Sequence, residues 1–599
     1  MGVEDLKEVG SVNGIVPWIL YSGKSTSTGS SVSVFEFNQM TNPPYLEMAT
    51  NYIAKLKMVR HPSIIPFEND ICEDHRVVFL TSEKLVPLRS LLEEESLSSW
   101  EVIWGIYCIL SGLQFIHGSL EMLHGGITVD SIFVNESGDW KLGGLELTSS
   151  FSSERSYFMS HESYLDHVFR SQERLGGDWS SVEGRVAGSM DMFSLGVVID
   201  HLLHSHPLSS SPPDSLGNLR AFVDRTQREN PRQRPTTKQF FKCTLFKMDE
   251  VVEILCHVAA PLVLTGDPND LENLNMLCNK VQDQIGSIAP PQISSKIIPF
   301  FSSSLQQMIL LPNNPPSQNI SHNQSKSREE NGISPKDEIN TTTSIVISKR
   351  DLCISILSLL SSAVVALEGS ERSLQLLACN ETTSPAPLSQ SLSQAMSYPD
   401  RAVRIHFLEH LKVFLPVMVT TPDEVLEVVL NGTSDSSSQV KLASLKAIPT
   451  AVFITNEEGE IELRVPQNAL DVKVMRTVLR LTGDEEHSIR ANLPILLAKL
   501  SPLLSPSAHA KAVPQILNKS VNDPFIPTRV SAVRSCVAIA RGEKVTSSQI
   551  ACHFLPLLSP KLIDSSSDVR DQARSAIDSL LDLVKEKFEE ENCNEETKG

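Results

Sequence analysis

The chain has 599 residues, 41% hydrophobic and 21% charged, with a formal net charge of −20 at pH 7. Such a length implies several domain-sized units instead of one core. The acidic balance argues against binding nucleic acid or anionic lipid through bulk charge, and the ten cysteines, scattered with no Cys-x-x-Cys pair, suit reduced cytosolic thiols.

The start of the chain lacks the basic-then-apolar pattern of a secretory signal. Residues 15 to about 245 mix short strand-type runs, Val32–Phe37 and Val77–Leu80, with a helical pattern over Val102–His117. Residues 246–312 turn helical and read as the first helices of a solenoid. Residues 313–349, rich in Asn, Ser and Pro, carry too little apolar surface to offset their ordering entropy and read as a disordered loop. Residues 350–588 are helix-compatible throughout, and 589–599 read as an acidic, disordered tail. The most apolar stretch, Leu352 to Leu367, has 16 residues and four serines. It falls short of the ~20 apolar residues a membrane span needs and reads as a buried helix.

Five segments of the first 245 residues resemble, in order and spacing, the motifs of protein kinases. They are His61-Pro62-Ser63-Ile64-Ile65, Gly112-Leu113-Gln114-Phe115-Ile116-His117, Asp139-Trp140-Lys141-Leu142, Met190-Asp191-Met192-Phe193-Ser194-Leu195-Gly196 and Asn230-Pro231-Arg232-Gln233-Arg234-Pro235-Thr236. The resemblance implies an α+β, bilobal protein-kinase-like domain over residues 1–245.

Phosphoryl transfer works by positioning and charge neutralisation: a lysine paired with a glutamate, an aspartate base, and an asparagine and aspartate for magnesium. By the same resemblance, Phe35 stands at the lysine of V-A-I-K, and counting back from His61 puts Tyr52 at the paired glutamate. His124-Gly125-Gly126 replaces H-R-D, leaving Gly126 at the base. Ser131 takes the place of the magnesium asparagine, and Gly144-Leu145-Glu146 replaces D-F-G, with Gly144 at the metal aspartate. The turn Thr28 to Val32 leaves about ten residues back to Ile19, too few for a strand–glycine loop–strand hairpin, so Gly23 and Gly29 read as turn glycines. An unorthodox active Ser/Thr kinase binding ATP would have to recruit Asp130, Glu146 or Lys24. A ligand displaced by one residue points elsewhere, and each such loss costs orders of magnitude in rate. The reading is therefore a pseudokinase: no enzyme, no cofactor and no metal. Asp191, Glu173 of Ser171-Gln172-Glu173, and Arg234 are retained. The resemblance implies that Asp191 tethers the catalytic-loop backbone and that Glu173 pairs with Arg234.

In the last zone an apolar or Thr residue followed by a basic one recurs: Val403-Arg404, Val440-Lys441, Ile489-Arg490, Thr528-Arg529 and Val569-Arg570. The basic positions lie 37, 49, 39 and 41 residues apart, and an aspartate sits six residues before four of them: Asp435, Asp484, Asp523 and Asp564. This period resembles the HEAT repeat, which implies an all-α HEAT/armadillo-type solenoid over 350–588. Asp435, Lys441, Asp484, Arg490, Asp523, Arg529, Asp564 and Arg570 would be its stacking residues. The polar insertion at Asn456 accounts for the long interval.

A defective kinase domain followed by HEAT repeats resembles the SCY-like, or N-terminal kinase-like, pseudokinase family. Trp140-Lys141-Leu142-Gly143-Gly144 and Asp523-Pro524-Phe525-Ile526-Pro527-Thr528-Arg529-Val530 are the most telling segments. The resemblance implies a cytoplasmic scaffold in vesicle traffic between Golgi and endoplasmic reticulum. Its repeats would bind protein partners such as coatomer or nuclear-transport factors, with peripheral membrane association only and placement at the Golgi or nuclear envelope. It also offers an alternative, a cytoplasmic adaptor for nuclear tRNA export, which the net charge does not favour.

Overall fold

The computed structural model describes residues 2–27, 29–73, 76–94, 97, 99–150, 155–177, 188–205, 213–242, 244–247, 250–259, 268–310, 335–367, 388–418, 421–455 and 461–596. The chain divides into two units, residues 1–261 with 283–297, and residues 262–282 with 298–599.

The first unit opens with β1 (Val3–Asn13), β2 (Pro17–Ser25) and β3 (Ser31–Asn38), then helix α1 (Leu46–Met58), then β4 (Asn69–Glu73) and β5 (Arg76–Thr81). The strands form one antiparallel sheet in the order β1-β2-β3-β5-β4. β3 is buried on both faces: Val32 and Val34 pack with Leu80 on one, while Phe35 and Phe37 point to the other. On α1, Met48, Ala49, Tyr52, Ile53 and Leu56 make the apolar stripe that a helix packed on a sheet requires. The hairpin judged too short is present, because β1 lies earlier in the chain than the sequence suggested. β1 is an edge strand, largely exposed, with Leu6 and Val9 facing solvent, so it lacks the alternation that marks a half-buried strand. Gly29 has φ +69 in the β2–β3 turn, whereas Gly23 lies inside β2, where a Cβ would come within 2.6 Å of Val3 Cγ1. Below the sheet run α2 (Ser99–Gly118) and α3 (Gly188–Ser205).

The helical stretch after residue 245 is divided. Helix Glu250–Val258 packs on α2, and residues 283–297 also belong to the first unit, where Lys296 Nζ donates to Asp139 Oδ2 at 2.7 Å. The loop expected over 313–349 lies outside the described residues as far as 334. Its remainder opens the helix Pro335–Ala366.

In the second unit the helices α4 (Arg401–Glu409), α5 (Ser438–Val452), α6 (His487–Leu500), α7 (Ile526–Ala540) and α8 (Ser567–Glu596) pack each on the next. An ionic ladder ties them. Arg404 Nη2 bonds Asp435 Oδ1 at 3.1 Å, Lys441 Nζ bonds Asp484 Oδ2 at 3.0 Å, Arg490 Nε bonds Asp523 Oδ2 at 2.7 Å, and Arg529 Nη2 bonds Asp564 Oδ1 at 2.9 Å. Each aspartate also accepts a backbone N–H two residues on, fixing the turn before its helix. The insertion after α5 is flanked by a two-stranded ribbon, Phe453–Thr455 with Ile461–Leu463. The acidic tail departs from expectation, because α8 stays helical to Glu596. Glu591 accepts from Ser547 N–H at 2.9 Å and from its hydroxyl at 2.5 Å, and Lys587 Nζ donates to the Gly542 carbonyl at 3.0 Å.

Burial pushes the carboxyls of Asp484, Asp523 and Asp564 up, but hydrogen bonds from the backbone and their basic partners outweigh it and hold all three below the usual value. A lowered folded value means stability present above the unfolded value, about 3.9, and lost as pH falls through the folded one. Asp523→Asn should lower the stability of the second unit by about 2 kcal/mol at pH 7, read as a shift in denaturant midpoint, and the gap to wild type should narrow between pH 5 and pH 3.

Candidate functional site

The five residues expected at catalytic positions come together. Phe35, Tyr52, Gly126, Ser131 and Gly144 all line one cavity between the sheet and the segments after α2, and that cavity has a volume of only about 10 Å³. It has room for one water at most, whereas ligand pockets start at roughly 300 Å³.

Aromatic rings fill the space. Phe35 lies flat on Phe79, with centroids 4.6 Å apart and planes 2° apart, and meets Phe133 edge-on at 5.4 Å. Trp18 and Tyr52 each set an edge against Phe79, at 5.2 and 5.4 Å. From the β1–β2 turn, Ile15 reaches down onto Gly126: a Cβ at 126 would stand 2.8 Å from Ile15 Cδ1 and 3.2 Å from the Gly144 carbonyl oxygen. Gly144 has φ +69, and a Cβ there would stand 2.6 Å from Ser131 Cβ. A carboxylate fits at neither position in this packing.

The polar groups around the cavity are occupied. Ser131 Oγ donates to Thr128 O and accepts Thr128 N–H, both at 2.9 Å. Asp130 is held by Arg89, at 2.5 and 2.7 Å. Lys24 sits in β2 outside the cavity lining, and the buried Lys141 donates to Pro62 O at 2.7 Å and to Glu83 at 3.1 Å. Tyr52 accepts Gly144 N–H at 3.3 Å, and burial raises its phenol well above the ordinary value.

Glu146 is the exception. Its Oε1 accepts from Trp18 Nε1 at 3.3 Å, while Oε2 is buried with no hydrogen-bond partner among the described residues. Burial pushes this carboxyl up to about 7, against the lowering effect of its backbone and Trp18 hydrogen bonds. No group of three or more potential metal ligands occurs among the described residues. Magnesium-ATP therefore does not fit this cavity, which lacks the volume and, among the described residues, is lined by no lysine or arginine for the phosphates.

The frame beneath the cavity is intact. Asp191, in the first turn of α3, accepts His124 N–H at 2.9 Å, Gly125 N–H at 2.8 Å and His117 Nε2 at 2.7 Å. Burial opposes its charge, but these bonds outweigh that and lower its value. His124 Nδ1 accepts Gly126 N–H at 3.2 Å and Nε2 donates to Gly143 O at 2.8 Å, the pattern of a neutral imidazole, in line with the lowering that burial imposes. Arg234 meets Glu173 in a bidentate pair, at 2.5 and 3.0 Å, and stacks over Phe193. Sequence reasoning missed Trp18, Phe79, Phe133 and Ile15 as cleft residues. Their only signal was apolar character in strand-type runs, which does not say which face looks into the cleft.

The protein kinase domain family matches residues 19–250. The chain is 21% identical over 583 residues to the "Probable inactive serine/threonine-protein kinase scy1" of Dictyostelium discoideum, covering 95% of this chain and 61% of that protein. It is 22% identical over 591 residues to the "Cytoplasmic export protein 1" of Saccharomyces cerevisiae, covering 97% of this chain and 68% of that one. These matches support a likeness to the SCY-like proteins. Among solved structures the chain resembles Cex1p, with a TM-score of 0.58 at 18% identity, covering 98% of this chain and 97% of that one. That likeness shows the fold alone.

Glu146 generates a test. A carboxyl raised from 4.5 to about 7 on folding holds its proton in the folded state across that window. The folded state then loses stability as pH rises from 4.5 to 7 and stays lower above it. Glu146→Gln should stabilise the kinase-like unit by a few kcal/mol at pH 8 and change little at pH 5, measured by denaturant unfolding at both pH values.

Proposed function

We propose that this SCY-like chain is a catalytically inactive, kinase-like scaffold of the cytoplasm whose HEAT-type repeats bind protein partners in coatomer-type vesicle traffic between the Golgi and the endoplasmic reticulum. The observation that carries the inactive part is the cleft. The positions that would need Lys, Glu, Asp, Asn and Asp hold Phe35, Tyr52, Gly126, Ser131 and Gly144, and the volume left is about 10 Å³. Similarity to a protein named as a probable inactive kinase supports the same reading. The scaffold part draws on the stacked helices of the second unit, since such stacks present long surfaces suited to protein partners. No described helix is long and apolar enough to cross a membrane, which suits peripheral association.

A second reading, an adaptor for nuclear tRNA export, draws on the likeness to the yeast protein named for cytoplasmic export. The exposed Lys446, Lys499 and Arg534 on α5, α6 and α7 also favour it. Two experiments separate the readings. Purification of the tagged chain from cells should return coat proteins, and their absence counts against the trafficking role. Titration with tRNA across a salt series should show no binding at physiological ionic strength. Tight binding that falls steeply with salt would favour the export role.

A further inference from the structure

Glu146 sits where the sheet of the first unit meets the segments below it. It lies in the one-turn helix Leu145–Leu147, whose three side chains are all buried. Its backbone is pinned from two sides, because its carbonyl accepts from Asn51 Nδ2 of α1 at 2.8 Å and from the Tyr157 hydroxyl at 3.0 Å. Its side chain ties the sheet to the floor of the cleft, with Oε1 accepting from Trp18 Nε1 of β2 at 3.3 Å. Trp18 follows the β1–β2 turn, whose Ile15 covers Gly126. Oε2 has no hydrogen-bond partner among the described residues, and the cavity that Glu146 lines holds about 10 Å³.

The polar groups around this carboxyl come from each element packed on it. Helix α1 supplies Asn51 and Tyr52, β2 supplies Trp18, the helix Arg155–His161 supplies Tyr157, and Asp130 and Ser131 line the same cavity. The acidic residue among them, Asp130, is held by Arg89 at 2.5 and 2.7 Å. Glu47 of α1 and His161 of the neighbouring helix are turned to each other at 3.4 Å. Among the described residues no cation stands against Glu146, and burial lifts its carboxyl to about 7. An ionised carboxylate needs a partner or a hydration shell. The cavity has room for one water at most, so a charge here is met only by movement. Helix α1 is bonded to the floor through Asn51, which donates to Glu146 O and Thr148 O. The β1–β2 turn rests on Gly126 through the apolar Ile15, and that contact is the weaker one.

We propose that Glu146 is a proton-operated latch: protonated, it keeps the β1–β2 turn shut over the cleft, and on giving its proton to solvent it draws in water and releases that turn. The closed state is the one in which the Trp18 bond and the Ile15 contact coexist. The open state hydrates Oε2 and lifts residues 14–16 from Gly126. Opening restores no nucleotide site, since Phe35, Gly126 and Gly144 stay where charged groups would be needed. The inference concerns the kinase-like unit alone and holds whichever partner the repeats bind.

Hydrogen exchange of the full chain, read by mass spectrometry at pH 6 and pH 8 and corrected for the intrinsic rate, tests it. A carboxyl at about 7 when closed and 4.5 when open favours opening about tenfold more at pH 8 than at pH 6. Amides of residues 12–20 and 124–131 should therefore lose about tenfold in protection over that range. Residues 106–116 of α2, where Ile106, Ile109, Leu110, Leu113 and Ile116 are fully buried, should keep theirs. Glu146→Gln and, independently, Glu146→Met should stay closed at both pH values. Wild type without the step, a step that persists in a folded variant, or an equal step in residues 106–116 overturns the proposal. The last outcome would mean that the whole unit loosens and that no turn is released.

Discussion

The stack of Phe35 on Phe79 sets the terms for everything around it in the first unit. An apolar ring on β3, closed by Phe133 below and Trp18 and Tyr52 beside it, leaves a dry cleft in which an unpaired charge would cost several kcal/mol. The neighbouring positions follow from that constraint. Gly126 and Gly144 carry no side chain because Ile15 and Ser131 already occupy the space, Tyr52 stays a neutral phenol, and the buried Glu146 holds its proton up to about pH 7. A kinase cleft is kept open by charge that must be solvated or paired. Here it is closed by packing, and the closure suits a domain that serves as a rigid body.

The rest of that unit is held by two buried polar clusters. Asp191 gathers two backbone N–H groups and His117, and Glu173 clamps Arg234. Both are buried and fully partnered, which suits fixing geometry more than adding stability. The second unit relies on a different device used repeatedly: an aspartate that caps its own turn and receives a cation from the preceding repeat. One side chain thus sets both the local turn and the stacking register.

The legible part of the sequence was the part written in charged and punctuating residues. The ladder could be read because Asp435, Asp484, Asp523 and Asp564 recur at a fixed offset from a basic residue, and a polar pair repeated at that period marks stacked helix pairs. Counting from motifs singled out Phe35, Tyr52, Gly126, Ser131 and Gly144, and the structure gathers these five residues around one cavity. What could not be read was which apolar residue faces which surface. β1 was hidden because an exposed edge strand with the sequence Val-Glu-Asp-Leu-Lys-Glu lacks alternation, and its absence made the hairpin look too short. The helical end of α8 was hidden because an acidic run resembles a solvated tail. Its anchors, Lys587 to Gly542 and Glu591 to Ser547, are contacts across more than forty residues that no local pattern announces.

The central claim is that the kinase-like unit has no nucleotide site. Isothermal titration of the full chain with ATP, with and without magnesium, tests it most directly. The account expects no saturable heat in either titration. Saturable binding that strengthens with magnesium, accompanied by transfer of labelled phosphate and lost in Glu146→Gln, would contradict it.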